Sequence, residues 1–69
     1  MNFQYEEAET VDIHCTDKDQ WFKATIVSKS KHNIVMAIYD GKVRLNFALI
    51  KPNVYVASRE GYEFVYKQG

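Results

Sequence analysis

The sequence holds one cysteine, one proline, three glycines and no long apolar run, and each scarcity removes a class of protein. With Cys15 alone, no intramolecular disulfide forms and no thiolate cluster can hold a metal, so the chain suits a reducing, cytoplasmic compartment. No stretch approaches the roughly 20 apolar residues of a membrane helix. The start, Met1 to Glu9, carries acids where a secretory signal would carry positive charge and then an apolar segment, so no membrane partner is expected. Gly41, Gly61 and Gly69 stand apart from one another, which leaves no glycine-rich loop to cradle a phosphate, and no cofactor is expected. His14 and His32 have neither the His-x-x-x-His nor the Cys-His spacing of metal sites, so no metal is expected either.

At 69 residues there is room for one core. A hydrophobic fraction of 46%, of which aromatics are a large part, is enough apolar area to offset chain entropy, so the chain should fold. The formal net charge of zero conceals an asymmetry. Up to Gln20, Glu6, Glu7, Glu9, Asp12, Asp17 and Asp19 face only Lys18. From Trp21 onward eight basic residues face Asp40, Glu60 and Glu63. The halves of so small a protein interleave in space, where the charges either screen one another or leave a basic face for an acidic partner.

Alternation with a period of two recurs along the chain, as strands with one buried face require. Val11, Ile13 and Cys15 alternate with Asp12 and His14, and Thr16 to Gln20 reads as a polar turn. Trp21 to Val27 is rich in aromatic and β-branched residues, with Phe22, Ala24 and Ile26 on one side. After the polar stretch Ser28 to Asn33, the run Ile34 to Tyr39 is apolar on both faces. Asp40-Gly41 then predicts a type I′ hairpin, because both residues tolerate the positive φ that turn demands. Val43, Leu45 and Phe47 should point inward from the next strand, which Pro52 ends by lacking an amide hydrogen. Val54 to Val56 and a last strand at 62–66 flank Ser58 to Gly61. Together these predict an all-β fold, a small barrel of about five antiparallel strands.

In order and spacing the stretch from Val11 to Pro52 resembles the Tudor and agenet group of SH3-like barrels: the strand Val11-Asp12-Ile13, the acidic loop Asp17 to Gln20, Trp21-Phe22-Lys23-Ala24, Tyr39-Asp40-Gly41 and the closing Ile50-Lys51-Pro52. The resemblance implies an N-terminal arm at 1–9, a Tudor-like core at 10–52 and a C-terminal segment with a closing strand at 53–69. Many Tudor domains enclose a methylated ammonium or guanidinium in an aromatic cage by cation–π attraction. The resemblance puts Phe22 and Tyr39 at two cage positions, while Cys15 and Lys42 stand where further aromatics belong.

A binding role is expected rather than an enzymatic one. Cys15 with a remote histidine is the only conceivable nucleophile pair, and the parity of its strand points the thiol inward. The first functional expectation is a module that recognises a protein or peptide through Trp21, Phe22 and Tyr39 at a barrel mouth, rimmed by Asp17, Asp19 and Asp40, an acidic rim favouring a basic ligand. The chain has its own Met1 and a short tail, which fits a stand-alone phage or accessory protein acting on a host protein. The alternatives are single-stranded nucleic acid on a basic face of Lys23, Lys42 and Arg44, and a purely structural role in which two copies pair through a strand edge.

Overall fold

A computed structural model describes residues 9–69, so the expected N-terminal arm lies, apart from Glu9, outside the described residues. Six strands follow one another: β1 (Thr10–Cys15), β2 (Gln20–Lys29), β3 (Asn33–Ile38), β4 (Val43–Lys51), β5 (Val54–Arg59) and β6 (Tyr62–Lys67). Each pairs antiparallel with the next, and β6 returns to β1, closing the sheet into an up-and-down barrel. The described residues form no helix, and so none long and apolar enough to cross a membrane.

The fold class is the one the alternation predicts, with six strands in place of about five. The extra strand comes from the tightness of the last turn. Glu60 and Gly61 adopt φ of 55° and 84°, the paired left-handed conformation of a type I′ turn, and Arg59 pairs directly with Tyr62. Ser58 and Arg59, which read as connector in the sequence, therefore stay in β5. The segment at 53–69 is no appendage, because β5 and β6 put Tyr55, Ala57, Phe64 and Tyr66 into the same core as the other strands.

Asp40 and Gly41 take φ of 57° and 86°, and the Lys42 amide donates to the Tyr39 carbonyl at 3.1 Å, so the predicted hairpin turn forms where it was expected. Pro52 precedes Asn53, whose φ of 66° gives the Pro-then-left-handed sequence of a type II turn, and β4 ends at Lys51. Two bulges interrupt the ladders, one between Ile26 and Ser28 and one between Leu49 and Lys51. Each adds local twist and bends its strand, as closing a short barrel requires, and each turns an apolar residue, Val27 or Ile50, out to solvent.

Inward faces follow the predicted parity. Ile13 and Cys15 of β1, Ala24 of β2, Ile34, Met36 and Ile38 of β3, and Leu45 and Phe47 of β4 are buried, with Val11, Phe22, Ile26, Val43 and Leu49 packed half-exposed around them. Closure is narrower than the other ladders. β1 and β6 are in register at His14↔Val65 and Cys15↔Phe64, and the turn after β1 extends the junction. There the Thr16 amide donates to the Glu63 carbonyl at 3.0 Å, the Thr16 hydroxyl donates to Glu63 Oε1 at 3.1 Å, and the Glu63 amide donates to Asp17 Oδ2 at 2.7 Å. A sheet closed in this way has no fully free edge strand, which is the feature that pairing of two copies through an edge would use.

Two outcomes follow. Ala24 is 1% exposed, so Ala24→Asp places an unpaired charge in the core at a cost of several kcal/mol, comparable with the whole stability of about 3–10 kcal/mol for a domain of this length. Loss of the cooperative thermal transition checks it. Burial raises the Tyr66 phenol above its ordinary value of 10.0, and the Glu9 carboxylate and Tyr55 add to the shift. The folded state thus holds this proton more tightly than the unfolded chain, so the associated stability is complete below pH 10 and is lost as pH rises through the higher folded value. Urea midpoints measured from about pH 8 to pH 11 should fall less steeply for Tyr66→Phe than for the parent protein.

Candidate functional site at the barrel mouth

In an up-and-down barrel alternate turns share an end. The β1–β2 turn (16–19), the β3–β4 turn (39–42) and the β5–β6 turn (60–61) therefore gather at one mouth, with the start of β1 and the end of β6 at the other. Between these turns lies an open basin of about 400 Å³. The rings of Phe22, Tyr39, Tyr62 and Phe64 line it together with the apolar Cys15, Ile38 and Val43, and Lys18, Gln20, Arg59 and Glu60 complete the wall.

Two strands, β2 and β6, and the β3–β4 turn supply the rings, and the pleat decides which strand residues can contribute. Phe22 is directly opposite Ile13 and shares its inward face. Tyr62 and Phe64 share the inward face of β6 with Tyr66, Phe64 buried and Tyr62 40% exposed. Phe22 meets Tyr39 edge-on, with ring centres 5.9 Å apart and planes at 78°, and lies 6.1 Å from Phe64. Both spacings fall within the attractive range for aromatic pairs.

Tyr39 comes to the mouth by leaving its strand. β3 stops at Ile38, and Tyr39 takes a φ of 55°, an unusual conformation for a bulky residue that costs on the order of 1–2 kcal/mol. Its ring is left 59% exposed beside Phe22. The strain is tolerated where a large apolar ring is held open to solvent.

The fourth ring already carries a charge. Lys18 Nζ sits 4.9 Å from the centre of the Tyr62 ring, within cation–π distance. The three mouth turns and their flanks, residues 16–20, 39–42 and 59–63, hold the carboxylates Asp17, Asp19, Asp40, Glu60 and Glu63 against Lys18, Lys42 and Arg59. The mouth end as a whole is acidic.

Phe22 and Tyr39 therefore meet as the sequence suggests, and Trp21 does not join them. It follows the opposite parity, projects 67% exposed from the outer wall and stacks on His14 with ring centres 4.6 Å apart. There it lines a separate groove with Val11, Asp12, Val65 and Lys67. Nor do the three expected rim aspartates line the basin. Asp17 is bonded to the Glu63 amide, Asp19 Oδ1 lies 2.8 Å from His14 Nε2, and Asp40 faces an outer groove with Lys23 and Arg44. The acid in the basin wall is Glu60. Of the basic trio, Lys23 is paired with Asp12 at 2.9 Å, and Lys42 lies outside the groove that holds Lys23 and Arg44. Cys15, where the family pattern leads one to expect an aromatic, lines the basin as a buried thiol.

Sequence reasoning missed Tyr62 and Phe64 as mouth residues. Their alternation with Glu63 signals a shared face, but the closure that pairs Phe64 with Cys15 of β1 brings them to the mouth. A count of six strands would have placed the last turn at the end of the first and third.

No protein-family model, curated protein or solved structure matches this chain. The geometry defines a small closed antiparallel barrel with an aromatic basin at one end.

Adjacent residues on opposite faces should respond oppositely to truncation. Trp21→Ala should change stability by less than about 1 kcal/mol, whereas Phe22→Ala, which removes a ring packed on the core, should cost about 2 kcal/mol or more. Urea denaturation of the two variants checks the register.

Proposed function

We propose that this protein is a non-catalytic binding module that takes a basic side chain of a protein or peptide partner into the aromatic mouth. One observation carries the reading: four rings from two strands and a turn line a single open basin at an end rich in carboxylates, and a lysine ammonium already rests on one of the rings. Aromatic faces attract cations through the ring quadrupole, and surrounding carboxylates raise the local concentration of a basic partner. A partly exposed cluster of large rings also has the make-up of an interface hot spot.

A Tudor-like identity within the SH3-like barrels belongs to the same proposal. The order of motifs from Val11 to Pro52 supports it, as does the use of Phe22 and Tyr39 at one end of a small barrel. The cage would differ from the family's pattern in drawing its other rings, Tyr62 and Phe64, from the last strand. We assign the protein to the cytoplasm on the same footing, since a lone thiol needs no oxidising compartment. An accessory protein acting on a host protein is a role that such a mouth could serve.

Single-stranded nucleic acid is the second reading, favoured by the outer groove of about 390 Å³ where Lys23 and Arg44 flank Tyr39. The Asp12 partner of Lys23 and the presence of Asp40 in that groove weaken it, because affinity for a strand depends on free positive charge.

Fluorescence anisotropy with three labelled probes separates the readings: a peptide alternating lysine and glycine, one alternating glutamate and glycine, and a single-stranded oligonucleotide. The lysine peptide alone should bind. Tyr39→Ala should weaken that binding about thirtyfold, the equivalent of about 2 kcal/mol, while Trp21→Ala on the outer wall leaves it unchanged. Preference for the glutamate peptide, or for the oligonucleotide with a steep salt dependence, would overturn the reading.

A further inference from the structure

Lys18 lies between two anchored residues. Asp17 is held by the Glu63 amide at 2.7 Å, and Asp19, left-handed at a φ of 52°, is held against His14 at 2.8 Å. The carboxylates beside Lys18 in sequence are thus engaged elsewhere. The ion pairs among the described residues are His14–Asp19 and Lys23–Asp12, and Lys18 is in neither. Its ammonium turns instead to the Tyr62 ring inside the basin, with Nζ 4.9 Å from the ring centre. The fold does not depend on this contact. Lys18 belongs to no strand, is exposed, and could extend into water as most surface lysines do.

We infer that Lys18 is a tethered occupant of the mouth, which an incoming cation must displace before it can use the Tyr62 face. The inference rests on the proposed reading of the mouth as a site for a basic partner, and it specifies how that site is regulated. A turn pinned on both sides delivers the ammonium at high effective concentration, so the empty mouth is partly self-occupied. A ligand then binds with its affinity divided by the fraction of open mouths. Isolated lysine side chains, which exchange one ammonium for another, are discriminated against. A partner that brings further contacts overcomes the competitor, so Lys18 sets a threshold between casual basic surfaces and the true ligand.

The test uses the whole protein, its Lys18→Gln and Lys42→Gln variants, and the peptide alternating lysine and glycine. Lys42 is the control because its removal takes the same charge from the same end without touching the basin wall. Two readouts are taken. Without ligand, the ε-methylene protons of Lys18 should be shifted upfield by the Tyr62 ring current, and Tyr62→Leu should abolish that shift. With ligand, Lys18→Gln should bind about three- to sixfold tighter than the parent, the factor by which an exposed cation–π contact populates the occupied mouth, while Lys42→Gln gains less than about twofold. An Lys18 signal at its random-coil position overturns the inference whether or not the peptide binds. Equal affinity of the parent and Lys18→Gln, or an equal gain in Lys18→Gln and Lys42→Gln, overturns it while leaving the peptide reading intact. Binding by none of the three proteins, with the upfield shift present, overturns the peptide reading and the competition with it.

Discussion

The junction of the first and last strands is what the rest of the molecule depends on. β1 and β6 share only two registered pairs, and hydrogen bonds that tie Thr16 and Asp17 to Glu63 carry the junction on to the rim. Without it the chain would be an open six-stranded meander, with unpaired edges on β1 and β6 and an interior wet along one side. Closure brings Phe64 to within 6.1 Å of Phe22 and places Tyr62 on the basin wall. The same bonds hold the turn that carries Lys18. Structural integrity and the chemistry of the mouth therefore share one set of interactions, and Asp17, which looks from the sequence like a free rim charge, is a member of that set.

The mouth also shows how a very small barrel can afford an apolar basin open to water. The interior is narrow enough for side chains to fill, and along most of its length they do, with Ile13, Ile34, Met36, Leu45 and Phe47 fully buried. At the mouth end the turns interrupt the filling. Tyr39 is diverted by its left-handed backbone, Glu60-Gly61 turns too tightly to cover the opening, and the small Cys15 side chain leaves depth beneath the rings. At the opposite end Tyr55 and Tyr66 pack with ring centres 6.0 Å apart, and both are buried. The asymmetry comes from local turn chemistry acting on a repetitive strand pattern.

Much of the fold was legible because it rests on local rules. A period of two has one meaning in a chain too short for a second core, so the inward sets Ile13 with Cys15, and Leu45 with Phe47, follow from alternation alone. Asp40-Gly41 and Pro52 speak for their own turns through φ and a missing amide hydrogen. The site was legible only in part, and for a related reason. Trp21 and Phe22 are neighbours in sequence, and the pleat that makes strands predictable sends them to opposite faces, one to the outer wall and one to the basin. Asp17, Asp19 and Asp40 are close to the mouth along the chain, yet each is directed by a partner or groove that no local pattern reveals.

What the sequence by itself determined is an all-β fold, its turn positions and which side of most strands is buried, since each depends on residues within a few positions of one another. Only the tertiary structure decided that the strands number six, that Tyr62 and Phe64 join Phe22 and Tyr39, and that Lys18 lies over Tyr62. Those facts depend on contacts between residues about 40 positions apart, such as Phe22 with Phe64 and Lys18 with Tyr62. Such pairs meet only after the chain has closed on itself, and nothing in the local alternation records how its ends meet.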